Sequence, residues 1–170
     1  MAKYQVPKLK LYSISLPNSD IYKMEENEFK SLYKEYNQLP CVYQKAILSS
    51  RCACPHAHKL NIAEREAVAC EFPEARIQCQ TLYDAFIEKA RFALHKIGDS
   101  PLTHAESIKV QVGGISGVQE ILSDESPLPQ VGQLTMKLFL AYPDLQGLPV
   151  ETIVRSIVHC KVRQRRNSKT

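Results

Sequence analysis

Apolar side chains recur at helical spacing in several stretches of this chain. Phe29, Leu32, Tyr33 and Tyr36 lie three or four residues apart in a charged background and predict a helix over 24–38. Pro40 interrupts it, and Val42, Tyr43, Ala46, Ile47 and Leu48 predict a shorter helix over 41–50. Asn61, with Glu64 three residues on, reads as a variant capping box that opens a helix over 62–70. Pro73 suits the first turn of the next helix, and Glu74 complements its dipole. That helix runs to about Lys96 on the stripe Ile77, Leu82, Phe86, Ala90, Ala93 and Leu94, with Gly98 as its stop. Residues 131–142 form a further helix closed by Pro143. Pro149 and Glu151 open a last one carrying Ile153, Val154, Ile157, Val158 and Val162.

Elsewhere the pattern changes. Residues 1–22 read as an extended arm, in which Leu9, Leu11, Ser13 and Ser15 alternate with Lys10, Tyr12, Ile14 and Leu16 between Pro7 and Pro17. Residues 108–112 also alternate and predict a short strand, which a strand at 9–16 could pair. Gly113, Gly114 and Gly117 then read as a turn or a close helix packing, and a short turn of helix follows at 118–122. Backbone amides around such glycines can cradle a phosphate, but the stretch lacks the Gly-Lys-Ser/Thr ending of a P-loop. The pattern as a whole predicts a mainly α fold: a compact bundle of five or six helices with one short strand pair. Its parts are the arm at 1–22, a single helical domain at 23–160, and a basic tail at 161–170.

Composition narrows the function classes. With 170 residues, 44% of them hydrophobic, the chain can bury a core without covalent staples. Its formal charge of +4 is modest, and Lys161, Arg163, Arg165, Arg166 and Lys169 concentrate positive charge at one end. A basic tail without interleaved aromatics, in a chain with no tryptophan, gives no platform for stacking bases, so nucleic acid is not the default partner. The first residues carry no apolar signal-peptide core, and no window approaches the roughly 18 apolar residues of a membrane span, which points to a cytoplasmic protein. His104 and Glu106 have no nucleophile at motif spacing, and no hydrolase or metalloprotease signature is present, so the chain gives no ground to assert an enzyme.

Six cysteines in a reducing compartment then need a reason other than disulfides. Cys41 and Cys160 stand alone among apolar neighbours and read as small buried hydrophobes. Cys52, Cys54, Cys70 and Cys79 cluster as Cys-x-Cys, then fifteen residues, Cys, then eight residues, Cys. Pro55 keeps the first pair in a loop, and the other two fall on the predicted helices, so three local elements can converge. Thiolates suit zinc and iron–sulfur clusters. Zinc modules normally use paired short knuckles, whereas irregular spacing over helices suits a cubane, so the pattern favours a 4Fe-4S cluster over 2Fe-2S and over zinc. His56 and His58 favour zinc, but read as neighbours of the centre rather than ligands. The expectation is an iron–sulfur protein in electron transfer or redox sensing, working with a protein partner. The alternatives are a zinc-stabilised helical interaction module that contacts a protein or nucleic acid, and a helical adaptor without metal.

Overall fold

The computed structural model describes residues 26–62, 64–96 and 100–162. In chain order the elements are α1 (Glu26–Tyr36), α2 (Gln44–Leu48), β1 (Ala57–Ile62), β2 (Arg65–Cys70), α3 (Pro73–Ala90), α4 (His104–Ile121), α5 (Val131–Ala141) and α6 (Val150–His159). The fold is mainly α with a single two-stranded antiparallel sheet among the described residues. The arm at 1–22, including the strand expected at 9–16, lies outside the described residues, as do residues 163–170 of the basic tail.

The middle of the bundle is α4. Its buried residues include Ile108, Val110, Gln111, Val112, Gly113, Ile115, Gly117 and Val118, so it is enclosed on nearly every side. A helix buried all round loses the one-sided apolar stripe that marks an amphipathic helix. That is why 108–112 resembles a strand in sequence, and the structure corrects both the strand and the turn expected after it: one helix runs through them. The glycines serve close packing against α6. A Cβ on Gly113 would lie 2.5 Å from the Ile157 Cα, and one on Gly117 would lie 2.8 Å from the Ile153 Cα. Gly114 makes room for the Phe86 ring of α3. The amides of this stretch are spent inside a helix, so it forms no phosphate loop. At the start of α4 a capping box holds the first turn: the Glu106 amide donates to Thr103 Oγ1, and the Thr103 amide donates to the Glu106 carboxylate.

Residues 62–70 are also corrected, from helix to hairpin. Ile62 pairs with Arg65, and the register continues to Ala57 opposite Cys70. Local propensity favours a helix in this Ala- and Glu-rich stretch, but the surroundings decide. Ala67, Val68 and Ala69 are all buried, and the free edge of β2 is completed by the segment before α2. There the Cys41 amide donates to the Val68 carbonyl at 2.9 Å, the Cys70 amide to the Leu39 carbonyl at 2.8 Å, and the Val68 amide to Gln44 Oε1 at 2.9 Å. These bonds satisfy backbone groups that would otherwise be buried unpaired. Gln111 then ties the same segment to α4: its side-chain amide donates to the Val42 carbonyl at 2.9 Å, while its Oε1 accepts from the Ala46 amide at 3.0 Å.

Candidate metal centre

Four segments of the chain each deliver one cysteine to the same place. Cys41 precedes α2, Cys54 lies in the loop before β1, Cys70 ends β2, and Cys79 sits in the second turn of α3. Together with Val42, His56, Arg76 and Gly132 they line one small cavity of about 20 Å³. A groove of about 250 Å³ opens beside it, with His56, Ala75, Cys79 and Gly132 shared between the two and Phe72 and Met136 on its far wall.

Each thiol is held by identifiable bonds. Arg76 Nε donates to the Pro40 carbonyl at 2.8 Å, which fastens the segment carrying Cys41 to the helix carrying Cys79. The Ala53 amide donates to the Pro129 carbonyl at 3.0 Å, and the Val131 amide to the Ala53 carbonyl at 2.8 Å. This short parallel bridge sets Cys54 against the first turn of α5. A Cβ added to Gly132 would stand 3.1 Å from Cys54 Sγ and 3.1 Å from His56 Cδ2, so glycine lets the thiol and the imidazole approach that turn. The Cys70 thiol donates to the Phe72 carbonyl at 3.4 Å, and the Cys79 thiol is hydrogen-bonded to Thr135 Oγ1 at 3.8 Å.

The electrostatics of the cavity have two sides. Burial pushes the Cys41 thiol up to about 12 and the Cys79 thiol up to about 11, and the neighbouring Cys54 and Cys70 thiols add to both shifts. At neutral pH these two are therefore protonated in the metal-free protein. Against this, the first turns of α3 and α5 both face the cavity through Ala75, Arg76, Val131 and Gly132. Neither helix has a side-chain cap. Two helix N-termini and the Arg76 guanidinium place positive potential where thiolates would form.

The structure thus gathers Cys54, Cys70 and Cys79 of the sequence-predicted set, joins Cys41 to them, and sets Cys52 elsewhere. Cys52 is only 2% exposed and belongs to the main core. Burial pushes its thiol up to about 12. Cys52 and Cys54 part although only Ala53 separates them, because Ala53 bonds to the segment before α5 and the chain turns at Pro55. Cys41 escapes a reading by spacing because it lies thirteen residues before Cys54; its signal is Pro40, whose carbonyl Arg76 holds. His56 lines the cavity with its ring 4.4 Å from that of Phe72, whereas His58 faces solvent beside Glu71 at 3.5 Å. Among the described residues, no three Cys, His, Asp or Glu side chains stand ready-made around a single ion. His104 and Glu106 are not an acid–base pair: Glu106 is occupied by the Thr103 cap and by Lys96 at 2.8 Å.

Comparison with protein-family models, with curated proteins and with solved structures gives no match, so the reading of this site rests on its own geometry. Among the described residues, no helix is long and apolar enough to cross a membrane.

Proposed function

We propose that Cys41, Cys54, Cys70 and Cys79 are the ligands of an iron–sulfur cluster, and that the protein serves electron transfer or redox sensing in the cytoplasm with a protein partner. The observation that carries this reading is the meeting of four thiols, from four separate segments, at one cavity faced by two helix N-termini that lack side-chain caps. Thiolates are the donors that iron–sulfur clusters use. The positive potential of the helix ends and Arg76 offsets the charge of an anionic cluster. Cluster type is set by room and ligand spread. A single zinc ion draws its sulfurs to about 3.8 Å from one another, as Zn–S bonds of about 2.3 Å in a tetrahedron require. A cubane places its four irons at separate corners and takes thiolates that stand further apart, which favours 4Fe-4S. The groove beside Cys79 and His56 gives the inorganic core room on that side. His56 stands as the neighbour that packs on the centre, through Phe72.

The test is the optical spectrum and elemental content of protein purified without oxygen. A brown protein with a broad band near the visible blue, and about four irons and four sulfides per chain, is the expected result. Colourless protein with one zinc per chain would replace this reading with the zinc-stabilised module. Neither metal, before or after reconstitution, would leave a helical adaptor.

A further inference from the structure

Thr135 is a polar residue in an apolar place. It lies on the inner face of α5 with Val131, Leu134 and Leu138, and it is 2% exposed. A hydroxyl buried this deeply costs free energy unless it finds a partner. Thr81, Ser107 and Ser116 find theirs by turning back to the carbonyl four residues earlier in the chain. Thr135 reaches across to α3, where the Cys79 thiol donates to its Oγ1 at 3.8 Å. Both residues line the groove that opens beside the cavity. Three residues earlier on α5, Gly132 brings the same helix up to Cys54, since a Cβ there would stand 3.1 Å from the Cys54 sulfur. One helix thus approaches two of the four thiols, and its one buried hydroxyl is bonded to a sulfur.

The direction of that bond depends on what Cys79 carries. As a thiol, Cys79 donates and Thr135 accepts. A cysteine that ligates a metal has given up its proton, so the bond survives only if the hydroxyl turns and donates to the sulfur. Threonine serves both states, because a hydroxyl is donor and acceptor at once. A donor on a ligand sulfur draws electron density from it and favours the more negative, reduced state of an iron–sulfur centre. We propose that Thr135 is a positioning residue of the centre, whose hydroxyl donates to the Cys79 sulfur, steadies that ligand and raises the reduction potential. The inference rests on the iron–sulfur reading of the cavity. In the step concerned, one electron enters the centre from an external reductant such as dithionite, and no bond at Cys79 or Thr135 breaks.

The experiment reconstitutes the full chain with iron and sulfide without oxygen, titrates it with dithionite against redox mediators, and counts the reduced state by electron paramagnetic resonance. Thr135→Val removes the hydroxyl and keeps the shape of the side chain. It should make the reduced state about tenfold less favoured at a fixed solution potential, a fall of about 59 mV for one electron. Thr135→Ser keeps the hydroxyl and should hold the wild-type potential. Thr135→Ala gives a second hydroxyl-free chain, and it should shift in the same direction as Thr135→Val. Loss of iron from both hydroxyl-free variants, with full iron in Thr135→Ser, would also support the proposal, since the hydroxyl would then decide whether Cys79 holds the centre. Equal potentials in the wild type and Thr135→Val would overturn the proposal and leave the centre standing. So would a Thr135→Ser chain that shifts as far as Thr135→Val or loses its iron. A wild-type chain that takes up no iron and sulfide would overturn the iron–sulfur reading itself, and this inference with it.

Discussion

At the scale of single residues, Gln111 and Glu106 show how polar side chains fix the parts around the centre. Gln111 satisfies one buried acceptor and one buried donor on the segment that carries Cys41. Gln111→Leu keeps the volume but strands both groups, at a cost of about 1–3 kcal/mol for each. Urea unfolding should show a loss of about 2–6 kcal/mol. A loss under about 0.5 kcal/mol, the range of an ordinary surface change, would mean that the two bonds do not anchor the segment. Glu106 links the fold to pH. Its hydrogen bond with Lys96, and then its bond from the Thr103 amide, hold its carboxyl down to about 2. Between its ordinary value of 4.5 and about 2, the unfolded chain binds more protons at this group than the folded one. Its contribution is therefore present above that window and is lost as pH falls through it. The urea midpoint should drop between about pH 4.5 and 2 more steeply in the wild type than in Glu106→Gln. Identical profiles would remove Glu106 from the acid response.

At the scale of elements, the amphipathic helices are legible in sequence and the enclosed or covered ones are not. α6 follows its stripe through Ile153 and Ile157, whereas α3 buries Leu82, Phe86 and Ala90 of its stripe but leaves Ile77 exposed and ends at Ala90, short of the expected Lys96. α4 hides its period by being buried all round, and the hairpin hides because its edge is paired by residues 39–44, 24 to 31 positions away in the chain. A local capping pattern at Asn61 and Glu64 cannot report a partner that distant. The α4–α6 seam can be tested directly. Gly113→Ala puts a methyl against the α6 backbone, where no flexible side chain can give way. Overpacking of this kind costs typically 1–3 kcal/mol, against a gain in helix propensity of about 1 kcal/mol. A net loss of stability in denaturant unfolding is expected for Gly113→Ala and Gly117→Ala alike. A gain would mean that the two helices stand further apart than they do here.

At the scale of the whole molecule, the centre and the core are separable. The α4–α6 seam is built from apolar residues, whereas the cavity joins the segment before α2, the hairpin and the first turns of α3 and α5, with Cys41, Cys54 and Cys79 packed against the edge of the core. If the proposed centre is bound, its loss should therefore weaken hydrogen-exchange protection over about 39–56, at 70–79 and in the first turn of α5, while α4 and α6 keep theirs. Loss spread over every helix would show that the core depends on the centre. Three of the four proposed ligands were legible in the sequence, because Cys54, Cys70 and Cys79 cluster and sit at the ends or early turns of elements. The fourth was not: spacing favours Cys52, while the fold brings in Cys41 through the pairing of its amide with Val68 and the hold of Arg76 on Pro40. The most direct measurement follows from that exchange. Cys41→Ala and Cys52→Ala would be reconstituted side by side with iron and sulfide without oxygen, and their visible spectra and iron content compared with the wild type. Cys41→Ala should lose the cluster, and Cys52→Ala should retain it at the wild-type iron content. A Cys41→Ala variant that holds a full cluster while Cys52→Ala is bleached would contradict the ligand assignment.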